Sequence, residues 1–217
     1  CLSGDAGDEF FAGYNRYIWL GTVSKFSNWL PQILKNKISY ILKSIPARNW
    51  NIIFNLNNIL SLPKLNNPGD KIHKLSELIS ASNEIELYDS TISQWRGKIP
   101  IINLEDEKNN HFHYRTNFFK NNFVESMMLM DIYNYLPDDI LVKVDRASMA
   151  NSLETRIPFL DERLMSLAWK IPLNMKIKGR QGKWILQKLL EKYIPTEFIN
   201  RPKQGFSIPI EYWLRNS

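Results

Sequence analysis

The sequence predicts a mainly α-helical protein, and three observations carry the prediction. Apolar residues recur at helical spacing in one segment after another, prolines and Gly-containing turns separate the segments, and little reads as strand beyond the first residues. The 217 residues, 44% of them apolar and 12% aromatic, make up one large domain or two small ones with a real core, which excludes wholesale disorder.

Residues 14–30 read as an aromatic-rich helix that ends before Pro31. A second helix spans 31–45, with Ile33, Leu34, Ile38, Ile41 and Leu42 near helical spacing, and Pro46 interrupts it. Residues 47–62 carry Trp50, Ile52, Ile53, Phe54, Leu56, Ile59 and Leu60 and read as a third helix. A polar turn over 63–69 holds the breaker pair Pro68-Gly69. Helices follow at 71–81, with Ile72, Leu75, Leu78 and Ile79 on one face, and at 84–95. Pro100 and the polar run 105–110 make 97–116 a loop, with His111 and His113 in solvent. With His73 as the one further histidine, a structural zinc site lacks ligands.

A strong helix runs from 123 to 135, its Met127, Met128 and Met130 filling core, and Pro137 is expected to break it. Asp138-Asp139 then cap a short helix at 142–151. Asp161 is a natural N-cap for a helix over 162–170 that buries Leu164, Leu167 and Ala168 and stops before Pro172. Residues 179–182 form a turn, and a helix with Ile185, Leu186, Leu189, Leu190 and Tyr193 at helical spacing follows. Pro209 starts a last short helix through Trp213. There is no internal repeat.

The net charge is +6, with a pI near 9.3. That balance raises an anionic partner such as nucleic acid or membrane, but the lysines and arginines are spread and no nucleic-acid-binding motif occurs. The expectation is a generally basic surface with no nucleic-acid and no membrane partner. No run of eighteen apolar residues appears and no signal peptide is visible. A single cysteine rules out an internal disulfide and fits a reducing cytoplasm. The sequence is expected to be a piece of a longer protein, and Cys1 itself reads as a buried strand residue exposed by truncation.

The chemistry concentrates in Leu2-Ser3-Gly4-Asp5-Ala6-Gly7-Asp8-Glu9, before an apolar run. Its glycines permit a tight turn and close approach to a ligand. Three carboxylates within five positions repel one another unless a cation or water screens them. A helix opening after such a turn offers N–H groups to an anion, so a nucleotide with a divalent metal is one reading. Spacing alone equally allows Ser3 or Asp5 as an ordinary helix cap with acids in the first turn.

The longer string resembles the synthetase domain of glutamine-dependent asparagine synthetases. The resemblance covers this block with Gly13-Tyr14-Asn15-Arg16-Tyr17, then residues 135–146, Ser148-Met149-Ala150, Leu153-Glu154-Thr155-Arg156 and Pro158-Phe159-Leu160-Asp161. It continues through Gly182-Lys183 and Arg201-Pro202-Lys203-Gln204-Gly205-Phe206, all in the family's order, leaving about residues 20–120 less recognisable. It implies the C-terminal, helical portion of an adenine nucleotide α-hydrolase-like (PP-loop ATP pyrophosphatase) α/β domain. The family's pyrophosphate loop, Ser-Gly-Gly-x-Asp-Ser, and its glutaminase domain are expected outside this stretch.

By the same resemblance ATP and Mg²⁺ activate the aspartate side chain as β-aspartyl-AMP, and ammonia from a glutaminase domain completes asparagine. Ser3 and Gly4 would contact the nucleotide, Asp8 would help hold Mg²⁺, and Asp5 matches an acidic position tied to the intermediate. Lys183 would stabilise the α-phosphate as pyrophosphate leaves; Trp184 after it excludes a Walker P-loop. Asp145, Glu154 and Arg156 are further residues to test, Arg156 with Glu154 or Asp161 making a buried network. Arg201 and Lys203 near Gly205 could approach phosphates. Ala6 and Ala12 stand where the family often has glycine, and alanine enters positive φ at a cost. A homodimer is compatible with the resemblance. Two alternatives stay open: an amidotransferase for another carboxylate, such as a sugar acid, and a non-catalytic helical binding module.

Overall fold

The computed structural model describes residues 1–56, 67–92, 122–199 and 213–214. In chain order the described helices are α1 (Gly7–Phe10), α2 (Asn15–Trp29), α3 (Gln32–Ser44), α4 (Ala47–Leu56), α5 (Pro68–Ser80), α6 (Glu84–Ile92) and α7 (Phe123–Met130). A π-helical stretch (Asp131–Leu141) continues α7 into α8 (Val142–Met149), and a 3-10 turn (Pro158–Leu160) precedes α9 (Glu162–Lys170). Then come α10 (Leu173–Lys176), α11 (Trp184–Leu190) and α12 (Thr196–Ile199). The mainly helical class is what the structure has. Among the described residues the extended pairing is limited to two isolated bridges, Leu2 with Arg156 (parallel) and Lys178 with Gln181 (antiparallel). No helix of the described residues is long and apolar enough to cross a membrane.

Two apolar clusters hold the helices together. The first joins Tyr17 and Leu20 of α2, Leu78 of α5, Leu87 and Tyr88 of α6, and Phe123, Met127, Met128 and Met130 of α7. The methionines are fully buried, as the sequence leads one to expect. The second gathers Ala6, Phe10 and Phe11 with Leu136 and Ala168, and packs Ile157, Phe159, Leu164, Ile185 and Leu186 against them. The helix from α7 into the π-helical stretch supplies both clusters, Met130 to the first and Leu136 to the second.

Several expectations are corrected. Pro137 does not end its helix: it lies inside the π-helical stretch, whose flanks Met130 and Val142 keep helical dihedrals. The wider winding relieves the clash a proline ring has with an α-helical backbone and bypasses its missing N–H. Asp138 and Asp139 therefore sit within the helix instead of capping a new one. Asp161 does cap α9, its Oδ1 accepting from the Arg163 N–H at 2.9 Å, but Leu167 points to solvent. Cys1 is exposed in this chain, as expected. Arg156 and Glu154 pair on the surface, and Asp161 turns to Arg163 instead, so the expected buried network does not form. Such exposed pairs contribute little. The expectations for His111, His113, Arg201, Lys203 and Gly205 lie outside the described residues, as do the third helix beyond residue 56 and the last helix but for residues 213–214.

Candidate active site

The acid-rich loop is anchored at its start by backbone pairing. The Arg156 N–H donates to the Cys1 carbonyl at 2.8 Å, and the Ser3 N–H donates to the Arg156 carbonyl at 2.9 Å. Ser3 Oγ then donates to an Asp5 carboxylate oxygen, and the Asp5 N–H reaches back to Ser3 Oγ at 3.4 Å. Neither side chain caps α1, because the N-cap is Ala6 and it makes no side-chain bond. The ordinary-cap reading of Ser3 and Asp5 is thereby set aside. Around Gly4 a β-carbon would meet nothing within 4 Å, so open space lies beside this backbone.

α1 is a single turn enclosed by two left-handed alanines, Ala6 at φ 66° and Ala12 at φ 54°. Both are buried. The Gly13 N–H donates to the Asp8 carbonyl at 2.8 Å, the six-to-one bond of a Schellman ending, with Ala12 where glycine is usual. Each alanine costs about 1–2 kcal/mol of backbone strain. The two positions at which the resemblance leads one to expect glycine both have positive φ here, and alanine adopts it.

A turn late in the sequence closes on this loop. The Lys183 N–H donates to the Phe11 carbonyl at 3.1 Å, and Lys183, at φ 53°, stands at the start of α11. Its Nζ lies 2.9 Å from Asp8 Oδ2, both side chains about one-third exposed. Two glycines permit this contact. A β-carbon on Gly182 would lie 2.2 Å from the Ala12 carbonyl oxygen, and one on Gly13 would lie 1.9 Å from Asp8 Oδ1 and 2.3 Å from Lys183 Cε. Of the five non-glycine residues with positive φ among the described residues, Ala12 and Lys183 adjoin this junction and Ala6 opens the one-turn helix beside it. Backbone strain gathers at functional sites when the surroundings over-determine it.

Behind the loop lies a buried polar cluster that sequence reasoning missed. Glu9 is almost wholly buried and accepts from the Tyr14 hydroxyl at 2.6 Å. Burial pushes its carboxyl above the ordinary range, opposed by that hydrogen bond. Asp131, fully buried at the start of the π-helical stretch, accepts from Arg16 Nη2 at 2.7 Å, from Tyr88 at 2.7 Å and from the Tyr17 hydroxyl. The Arg16 guanidinium lies 4.2 Å from the centre of the Tyr14 ring and 5.0 Å from that of Tyr135. The cluster ties α1, α2, α6 and the π-helical stretch into one unit. Its sequence signal is Asp131, an acid between Met130 and Ile132 in an otherwise apolar run.

Asp8 and Lys183 are therefore brought together, Ser3 and Asp5 are brought together, and Asp5 makes no ion pair among the described residues. No three His, Cys, Asp or Glu side chains of the described residues converge as a metal site. Asp145 and Arg146 face solvent. A separate cleft of about 640 Å³, with Tyr17, Lys25, Glu84 and Asn174 in its wall, touches none of the predicted residues.

A mainly helical assembly that clamps a glycine- and acid-rich loop with a Gly-Lys turn defines a candidate anion-handling site. The asparagine synthase family profile matches residues 1–217, and the chain belongs to that family. It is 30% identical, over 99% of its length, to asparagine synthetase [glutamine-hydrolyzing] 1 of Bacillus subtilis, and spans 31% of that protein. Asparagine synthetase [glutamine-hydrolyzing] 3 of the same organism is 41% identical over 31% of this chain and 11% of its own length. The Homo sapiens asparagine synthetase [glutamine-hydrolyzing] is 37% identical over 37% of this chain and 14% of its own. The chain thus spans less than one-third of these relatives. No solved structure matches it.

Proposed function

We propose that this chain is the C-terminal part of the synthetase domain of a glutamine-hydrolysing asparagine synthetase, and that Ser3, Gly4, Asp5, Asp8 and Lys183 form one wall of its nucleotide site. A carboxylate oxygen of aspartate attacks the α-phosphorus of ATP, and the bond to pyrophosphate breaks. Ammonia, delivered from a glutaminase domain, attacks the resulting acyl carbon; AMP leaves and the nitrogen gives up a proton. Mg²⁺ would neutralise the phosphate charge between Asp8 and a carboxylate of the pyrophosphate loop. The single observation that carries the reading is the Asp8–Lys183 contact at 2.9 Å, built by Gly13 and Gly182.

That contact supports an exchange of partners. Without nucleotide, the Lys183 ammonium neutralises Asp8. Asp8 would be the carboxylate that holds a metal, and Lys183, freed of that pairing, would meet the α-phosphate as pyrophosphate departs. The open space at Gly4 suits a nucleotide against the backbone, and the Ser3–Asp5 pair sets Asp5 at the mouth of the loop.

The test uses the full-length protein with ATP, Mg²⁺, ammonia and aspartate, following AMP, pyrophosphate and asparagine together. Matching amounts of all three are expected. Lys183→Ala is expected to lower AMP formation by at least about a hundredfold, the scale of a lost transition-state charge contact, with an unchanged melting temperature. Absence of AMP and asparagine from a folded protein would point to another acceptor or to a lost activity, and near wild-type turnover of Lys183→Ala would remove that residue from the mechanism.

A further inference from the structure

Asp8 and Glu9 are neighbours in a helix of one turn, and they face different environments. Consecutive helical residues project about 100° apart. The Asp8 side chain is 36% exposed and meets Lys183, whereas Glu9 is 1% exposed. A turn this short forms too few hydrogen bonds to hold itself, so its orientation is set from outside. Phe10 and Phe11 bury beside it in the second cluster, but apolar contact is non-directional.

Glu9 is a costly residue to bury. A carboxylate taken out of water needs a partner, and none of the ion pairs among the described residues includes it. Its side-chain hydrogen bond comes from the Tyr14 hydroxyl at 2.6 Å. An apolar residue in its place would fill the space and lack the direction that this bond supplies.

Tyr14 gives the bond a fixed origin. Its ring stands edge-on to Tyr17 and Tyr135, with centres 5.6 and 5.8 Å away, under the Arg16 guanidinium that Asp131 holds. Tyr14 also follows Gly13, and the Asp8 carboxylate rests on Gly13, where a β-carbon would lie 1.9 Å from Asp8 Oδ1. Residues 8–9 and 13–14 therefore touch twice, at Glu9–Tyr14 and at Asp8–Gly13. Tying the first contact fixes the second, and with it the approach of Asp8 to Lys183.

We propose that the Tyr14–Glu9 hydrogen bond positions the Asp8 carboxylate on Lys183, which makes Tyr14 and Glu9 positioning residues of the candidate site. Its consequence for catalysis rests on the reading of Asp8 and Lys183 as nucleotide-site residues; the contact itself is measured without turnover.

The full-length protein is labelled with a trace of acetic anhydride, and the acetylation of each lysine is read by peptide mass spectrometry. An ammonium held by a carboxylate offers less free amine and reacts more slowly. Tyr14→Phe is expected to raise acetylation at Lys183 about two- to fivefold, the scale of losing a part-exposed ion pair, with Lys170 and Lys188 unchanged. Glu9→Leu is expected to do the same. Glu9→Gln, whose amide oxygen still accepts from Tyr14, is expected to keep the wild-type rate. Tyr88→Phe removes a hydrogen bond to Asp131 elsewhere in the cluster and controls for general loosening. It is expected to lower the melting temperature and leave Lys183 as it was. Unchanged Lys183 acetylation in Tyr14→Phe, an equal rise in Tyr88→Phe, or a rise in Glu9→Gln as large as in Glu9→Leu overturns the proposal. AMP formation is followed in parallel and is expected to fall in Tyr14→Phe. A wild-type protein that forms no AMP overturns the nucleotide-site reading alone, because the acetylation of Lys183 still decides the positioning.

Discussion

Two glycines with similar surroundings have different consequences. At Gly13 an added methyl meets the ends of two flexible side chains, Asp8 and Lys183. At Gly182 it meets the backbone carbonyl of Ala12, which cannot swing away. Gly13→Ala is therefore expected to leave the melting temperature within a few degrees of wild type while driving Asp8 and Lys183 apart, with AMP formation reduced about tenfold or more, the scale of a misplaced catalytic group. Gly182→Ala is expected to lower stability by about 1–3 kcal/mol, as overpacking does, and to lose activity along with fold. Paired melting and activity measurements separate the two; equal loss of stability in both would show that the junction is less tightly closed than its distances imply. The left-handed alanines belong to the same scale. Their strain was legible in the sequence as two departures from glycine, but whether the backbone needed positive φ was not, since that depends on the closure of the loop against Phe159 and Lys183.

The π-helical stretch is the element on which the site's backing depends. Its wide turns place Asp131 toward α2 and α6 and Leu136 toward α1 on one continuous helix. Asp131→Asn leaves Arg16 buried without its counter-charge and is expected to cost about 3–5 kcal/mol. Tyr88→Phe removes one hydrogen bond and is expected to cost about 1 kcal/mol. Denaturant titration checks both, and a loss from Asp131→Asn no greater than that from Tyr88→Phe would mean that the carboxylate's charge is immaterial there. Helical spacing located α2, α3, α5, α6, α7 and α9 within a few residues. It failed at Pro137, because a proline's veto holds for 3.6 residues per turn and not for a wider winding. On α3 it placed the helix, but spacing does not say which way tertiary packing turns the apolar residues. Asp8 and Lys183, 175 positions apart, gave no local sign of contact; only the resemblance named both.

At the scale of the whole molecule, the first residues of the chain meet residues from its last third. The first residues pair with Arg156, and the Gly182-Lys183 turn closes on α1, so the candidate site depends on contacts distant in sequence. The tyrosine cluster behind that site has a spectroscopic consequence. Tyr14, Tyr17 and Tyr135 are among nine tyrosines, and burial holds the hydroxyls of all three above their ordinary range. Because the folded state resists their ionisation, the stability they contribute is intact below the ordinary tyrosine value of about 10 and is lost as alkalinity climbs beyond it. The ultraviolet band of tyrosinate should therefore grow in two stages, a reversible one from exposed rings and a later, abrupt one that coincides with collapse of the near-ultraviolet dichroism. A single smooth rise would mean that these rings are open to hydroxide. With two stages, the protein's own absorbance reports, without label or substrate, whether the scaffold behind the acid-rich loop is shut.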